Sequence, residues 1–383
     1  MNTIARVETF LVPPRWLFVR IETDDGVVGW GEASLEGSAE VVRRAVEQHA
    51  ELLVGADARR IEDLHAVMTK GTFYRGGPVF ASAVAGIDQA LWDIAGKSLG
   101  APVHRLLGGH VRDRIRVYGW VGGDDPSEVA DHIQARVESG LTAVKMNAGG
   151  RATHLSSSAE LDAVVSRAAA ARDVLGPHRD VAIDFHGRIS LPDARRLAVL
   201  LEPLRPLFIE EPVVPENSAL LRAVVDASSV PVATGERLYH RSDFLPALEA
   251  GIAVAQPDLS HAGGITEVRK IAAVADVFGV QLAPHCPLGP LALASCLQVG
   301  FSTPNYLIQE QSVGIHYNEG ADVLDYLVDV EPLRFVGGHV SLLTEPGLGI
   351  AIDEGRVRAA DRRGDDAWRT PVWRHADGAF AEW

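Results

Sequence analysis

Apolar and polar positions follow three different rhythms along the 383 residues. In the first block, β-branched and aromatic runs at 9–12, 17–23 and 27–30 read as strands. Asp24-Asp25-Gly26, between the last two, is a hairpin signal. A helical pattern follows at 80–99, where Ile87, Ala90, Leu91 and Ile94 fall at i, i+3, i+4 and i+7 on one face. Gly100 ends it, Pro102 follows, and Leu107-Gly108-Gly109 marks a boundary.

From about Ile115 the rhythm changes. A short apolar run ends in a polar residue, a loop follows, and then a helical stretch closes near a Gly or Pro. These runs lie at 115–121, 143–146, 181–185, 207–209, 230–233, 252–255, 280–283 and 306–308. Alternating strands and helices imply a parallel sheet, and eight such units point to a closed barrel. A doubly wound sheet would call for a Gly-rich phosphate loop, and the chain has no GxGxxG or GxxxxGK[ST]. Strand-like text at 340–343, the turn Pro346-Gly347-Leu348-Gly349 and an aromatic tail ending in Trp383 break the alternation. That segment is expected to pack back on the N-terminal region. The predicted organisation is an α+β capping domain at 1–113, a barrel at 114–330 and a returning segment at 331–383.

Composition narrows the function classes. A hydrophobic share of 47% excludes a disordered chain. A net charge of −15, with no basic patch, disfavours nucleic acid or an anionic membrane as partner. Two cysteines, Cys286 and Cys296, exclude a Cys-rich zinc site and a disulfide framework. No apolar stretch resembles a signal peptide or a membrane span, so a cytoplasmic protein is expected.

Barrel chemistry gathers where strands end. Those positions hold Lys145 and Asn147, Asp184 and His186, then Glu210, Glu236, Asp258, His285 and Glu310. One strand-end acid is commonly a helix cap; six successive strands each bringing an ionisable group to one rim point to a site. Asp184, Glu210 and Glu236 offer only oxygen, and crowded carboxylates repel unless a cation intervenes. All-oxygen ligation favours Mg²⁺. The alternative is a salt-bridge network through Arg237, Lys145 or Arg188. Glu211 competes with Glu210, but neighbours on a strand face opposite ways, so only one can be a ligand. Asp258 and His285 fit an acid that fixes an imidazole tautomer and leaves the other nitrogen as base. His186 is a candidate fourth ligand or general acid. Glu310 is either a protonated carboxyl that donates to a developing oxyanion or a surface acid.

Long stretches around these residues resemble the enolase superfamily, in its mandelate-racemase subgroup. They include PPRW at 13–16, ETDDGVVGWGE at 22–32, FYRGGP at 73–78 and AGIDQALWDIAGK at 85–97. IDFHGR at 183–188, PLFIEEPV at 206–213, QPDLSHAGGITE at 256–267, APHCPLGP at 283–290 and QEQSVGIHYN at 309–318 continue the match. The resemblance implies a (β/α)₇β modified TIM barrel under an α+β cap, and usually a homo-oligomer. It implies Mg²⁺ on Asp184, Glu210 and Glu236, His285 with Asp258 as base, and His186 as acid. Racemases of the subgroup carry Lys-x-Lys at the second barrel strand. Here the text is Lys145-Met146-Asn147, as in dehydratases of aldonates such as D-galactonate, so the second base is missing. Dehydration of a small-molecule aldonate is therefore expected, with Lys145 stabilising charge and Asn147 holding a substrate oxygen. Arg15, Trp16, Tyr74 and Arg75 of the cap are expected to close over the distal hydroxyls. An epimerase on the same scaffold, or a non-catalytic sugar-acid-binding homologue, would be the alternatives. Residues 148–158 (AGGRATHLSSS) depart from the pattern beside the second strand end.

Overall fold

A computed structural model describes residues 2–150, 155–361 and 368–382, so 151–154 of the divergent stretch lie outside the described residues. The cap begins with β1 (Ile4–Val12), β2 (Trp16–Thr23) and β3 (Val28–Glu32), an antiparallel sheet in chain order. Helices α1 (Ala39–Leu53) and α3 (Pro78–Ser98) pack against it, and α2 (Ile61–Lys70) packs on α3. Gly31 is required by a close approach: a Cβ there would sit 2.0 Å from the Gly86 carbonyl oxygen of α3. Several polar residues of α3 are buried because they satisfy a neighbouring element. The Asp93 carboxylate accepts from Trp30 N (2.9 Å) and Leu348 N (2.9 Å), and Trp92 Nε1 donates to Thr266 Oγ1 at 2.9 Å. A one-turn helix, α4 (Val103–Leu106), closes the cap's N-terminal part.

The barrel starts with β4 (Arg114–Val121), α5 (Pro126–Glu138), β5 (Ala143–Asn147), α6 (Ser158–Leu175), β6 (Asp180–Asp184) and α7 (Leu191–Leu201). It continues with β7 (Ile209–Glu210), α8 (Leu221–Val225), β8 (Val232–Thr234), α9 (Arg241–Ala250) and β9 (Val254–Ala255). The last units are α10 (Gly264–Val277), β10 (Gln281–Leu282), α11 (Pro290–Ser302) and β11 (Gln309–Gln311). The strands run parallel in the order β10-β9-β8-β7-β6-β5-β4-β11. Leu282 N donates to Asn305 O and Leu307 N to Leu282 O, both at 2.7 Å, which closes the ring. The eighth apolar run, 306–308, makes this closure with β10, whereas the ladder with β4 falls on the following three residues. Glu310 therefore lies within the eighth strand rather than beyond it.

The returning segment splits its contacts. As expected from the sequence, α12 (Glu354–Ala360) lies on β1, and the Asp361 carboxylate accepts from Leu11 N at 2.9 Å. In contrast, β12 (His339–Ser341) pairs antiparallel with β4 of the barrel. The tail ends in a hairpin of β13 (Trp373–Arg374) and β14 (Phe380–Ala381). On the way, Trp368 faces the Arg15 guanidinium at 5.9 Å, and Trp373 faces that of Arg188 at 5.1 Å. Among the described residues, no helix is long and apolar enough to cross a membrane.

Candidate active site

Strand ends β6, β7 and β8 bring Asp184, Glu210 and Glu236 together, with ligand oxygens all within 4.8 Å of one another. Parallel register explains this: Asp184 stands opposite Glu210, and Glu236 follows two residues after β8. Burial raises all three pKa values to about 7, with mutual repulsion adding to it. Lys145 and His285 offset this only in part. Lys145 Nζ lies 2.7 Å from Glu210 Oε1 and 3.9 Å from Asp184 Oδ2, but it is shared with Glu310 Oε1 at 2.9 Å. Glu236 Oε2 is buried with no hydrogen-bond partner. Three oxygens, one of them orphaned, and too little positive charge make a donor set that fits a hard divalent cation.

Glu211 turns away from this cluster. Its backbone φ is +45°, and its carboxylate accepts from Arg237 Nε (3.0 Å) and Gly235 N (3.1 Å). Arg237 is thus hydrogen-bonded to Glu211 rather than to the three-acid group, although its charge still lowers the Glu236 pKa. Gly187 leaves room for it, since a Cβ there would lie 2.1 Å from Arg237 Nη2. Arg237→Met is expected to leave Glu211 buried and unpaired, costing about 3–5 kcal/mol of stability. Urea denaturation of the variant checks this.

His285 Nδ1 donates to Asp258 Oδ2 at 2.9 Å, and its Nε2 lies 3.5 Å from Glu236 Oε2. Burial disfavours the imidazolium, yet Glu236, Glu310 and Asp258 outweigh it and hold this pKa well above the usual histidine range. Asp258 is itself fixed, because Ser260 N donates to its Oδ1 at 2.6 Å. Across the mouth, His186 has φ +54° and its Nε2 lies 3.0 Å from Asp184 Oδ2. Arg188 donates to His186 Nδ1, which puts the imidazole proton on Nε2. Desolvation, with Arg188 and Lys145, holds the His186 pKa well below the usual range, so the ring is neutral here.

Glu310 departs from both readings of the sequence. It is buried, accepting from Lys145 and from Cys286 N at 3.0 Å. Burial would raise its pKa, but Lys145 and His285 outweigh that and lower it, so it is an ionised acceptor rather than a proton donor. Asn147 stands opposite Asp184 in register, with its Oδ1 buried and unpartnered. It lines a cavity of about 470 Å³ with Trp120, Arg188 and Trp373.

The four cap candidates separate. Arg15 reaches the barrel mouth: it donates to Pro287 O at 2.8 Å and lies over the Tyr317 ring at 4.3 Å. Trp16 is 0% exposed and fills the seam between cap and barrel: it stacks on Phe18, meets Tyr326 edge-on, and a Cβ on Gly289 would lie 2.9 Å from its ring. Tyr74 and Arg75 also fall elsewhere. Tyr74 is 87% exposed, and both residues line a separate cavity of about 660 Å³ between α1, α2 and α9. Their proximity to FYRGGP's neighbours in sequence carried no information about which side of the cap the loop would face. Gln256 was missed: its Nε2 donates to Glu210 Oε2 at 2.8 Å. Its place two residues before Asp258, on the same face of the strand end, was the available signal.

Residues 11–108 match the mandelate racemase / muconate lactonizing enzyme N-terminal domain, and residues 128–356 match the enolase C-terminal domain-like family. D-galactonate dehydratases of Variovorax paradoxus and Cronobacter sakazakii are each 51% identical over 99% of this chain and 100% of their own length. An enolase crystal structure from Agrobacterium radiobacter, bound to sodium and L-malate, superposes with a TM-score of 0.90 at 30% identity, covering 99% of both chains. A mandelate racemase/muconate lactonizing enzyme structure from Labrenzia alexandrii gives 0.89 at 31%, covering 96% of this chain and 99% of its own. With a capping sheet, a parallel ring and this clustering of acids and histidines, the chain belongs to the mandelate racemase / muconate lactonizing enzyme family of the enolase superfamily.

Proposed function

We propose that this protein is a Mg²⁺-dependent hydro-lyase that converts an aldonate, D-galactonate, to 2-dehydro-3-deoxy-D-galactonate and water. The observation that carries the reading is a one-sided site. A fixed imidazole, His285, stands at the three-carboxylate cluster, and Asn147 occupies the position where a second base would act on the other face. The identity to the two D-galactonate dehydratases supports the choice of substrate.

When bound, Mg²⁺ supplies Lewis-acid stabilisation of negative charge developing on the substrate carboxylate. His285 Nε2, which would give up its own proton once a bound cation offsets the Glu236 charge, takes the C2 proton, with Asp258 holding the Nδ1 hydrogen and stabilising the imidazolium that forms. Lys145, fixed between Glu210 and Glu310, keeps a positive charge beside the enediolate. The C3–O bond then breaks, and His186, once a second proton from solvent has made it an imidazolium, delivers the Nε2 proton that turns the leaving hydroxide into water and returns to the neutral ring. Negative charge growing on that oxygen offsets the Arg188 and Lys145 fields that disfavour a cationic ring. The remaining enol ketonises to the 2-keto acid. Asn147 holds a substrate oxygen, and Arg15 closes the distal end.

The test is a panel of aldonates with Mg²⁺, read by keto-acid formation, in wild type and His186→Asn. D-galactonate should be the preferred substrate. The variant should lose about 10²–10⁴ in keto-acid rate. In deuterium oxide it should still exchange the C2 hydrogen, with configuration retained. Unimpaired dehydration would remove His186 from the acid role, and rapid inversion at C2 in the wild type would make the enzyme an epimerase.

A further inference from the structure

His261 is buried three residues after Asp258 and has been given no role so far. Its Nε2 lies 3.0 Å from the Ser34 carbonyl oxygen, and a carbonyl only accepts, so Nε2 carries a hydrogen. The same nitrogen is 3.5 Å from Glu36 Oε2. Its Nδ1 lies 3.7 Å from Asp258 Oδ2, the oxygen that also holds His285. A lone pair at Nδ1 would face a carboxylate, whereas a proton there turns repulsion into attraction. Geometry therefore makes the ring an imidazolium between two acids. Burial works against the charged ring, but Asp258 and Glu36 raise its pKa to about 9. Burial likewise opposes the Glu36 carboxylate, yet His261 and Arg15 bring its pKa down to about 2.

Ser34 and Glu36 belong to the cap, in the loop between β3 and α1, whereas Asp258 and His261 belong to the barrel. Charges alternate along Glu36, His261 and Asp258 and end at His285. Other cap groups converge on the same corner. Gln89 Nε2 of α3 donates to Ser260 Oγ at 3.2 Å and Leu259 O at 3.3 Å, on either side of the Ser260 amide that fixes Asp258. A buried imidazolium with one acid removed pulls harder on the other. The position of the cap loop is thus felt at Asp258.

We infer that His261 is a positioning residue that couples the seating of the Glu36 loop to the alignment of the Asp258–His285 pair, so that closing the cap and orienting the base are one event. The inference rests on the dehydratase reading above. The experiment compares wild type, Glu36→Gln, His261→Asn, the double variant, and His261→Asn in an Asp258→Asn background. His261→Asn should lower kcat by about 10–100-fold, as loss of an outer partner does. KM should move by less than about threefold, since the lost interaction orients the base rather than holding the substrate. The near-isosteric Glu36→Gln should lose part of this rate, and the double variant should be no worse than His261→Asn. In the Asp258→Asn background the His261 change should have little further effect. Strictly additive losses, an equal loss in both backgrounds, or unchanged kcat in both single variants would overturn the coupling. Hydrogen–deuterium exchange gives a readout independent of turnover and of the His261 variant's folding. In Glu36→Gln, amides at 33–38 and at 258–262 should exchange faster together; faster exchange at 33–38 alone also overturns it. Absence of keto acid from the wild type would defeat the functional reading, and the exchange pattern would still decide the coupling.

Discussion

Exhaustive chelation is expected to abolish keto-acid formation, and Mg²⁺ added back is expected to restore it. The argument is electrostatic. Asp184, Glu210 and Glu236 hold oxygens within 4.8 Å of one another in a buried site, and burial raises each pKa to about 7. Their folded values lie above the unfolded ones, so between about pH 4 and 7 the folded protein holds more protons than the unfolded chain. Stability of the metal-free protein from these groups therefore falls as pH rises through that window. A divalent cation replaces the protons, so the stabilisation given by a fixed Mg²⁺ concentration should grow from pH 5 to pH 8. At 100 times its dissociation constant the ion should add about 2.7 kcal/mol. Glu236→Gln removes one charge at nearly constant volume and should abolish the Mg²⁺ response without unfolding the chain. Thermal denaturation with and without Mg²⁺ across that pH range measures this. Full activity in metal-free enzyme, or a pH-independent response, would contradict the assignment.

Asp258→Asn is expected to be nearly as damaging as loss of His285 itself. An Asn at 258 can present its NH₂ to Nδ1, which makes Nδ1 an acceptor and moves the ring hydrogen to Nε2. The nitrogen that should take the C2 proton then already carries one. A general base contributes about 10²–10⁴ in rate, and most of that should vanish in Asp258→Asn as in His285→Asn. The diagnostic is paired: keto-acid formation and C2 deuterium exchange should fall together in both variants, whereas His186→Asn should lose the first and keep the second. Exchange at the wild-type rate in His285→Asn would assign proton removal to another residue.

The barrel and the rim residues were legible because two periodicities coincide there. Apolar runs spaced by one βα unit fix the strands, and the ionisable residue after each run is carried to the same end of a parallel ring. Asp184, Glu210, Glu236, Asp258 and His285 needed nothing more. Protonation states were not legible, since they depend on distances between strands far apart in sequence. Glu310 is an acceptor because Lys145, on β5, comes within 2.9 Å of it, with His285 and Cys286 N on its other side. The cap was the hardest to read. Trp16 adjoins Arg15, yet Arg15 lies in the turn before β2 and reaches the barrel mouth, whereas Trp16 opens the strand and is buried. The hydropathy of each residue does not say which of the two reaches the barrel mouth.

The return of α12 and Asp361 to β1 has a consequence for the order in which the molecule is made. Leu11 N waits for a carboxylate 350 residues downstream, and Glu8, already paired with Arg20, gains Arg358 from the same distance. At about 5–20 residues per second, a ribosome needs on the order of tens of seconds to supply them. During that interval the nascent cap holds its three-stranded sheet with one margin unfinished, while the barrel strands emerge behind it. Emergence of residues 354–361, rather than of the barrel, is the moment at which the N-terminal sheet acquires these partners. Until then the β1 edge of the cap is open to chaperones and to pairing with other chains.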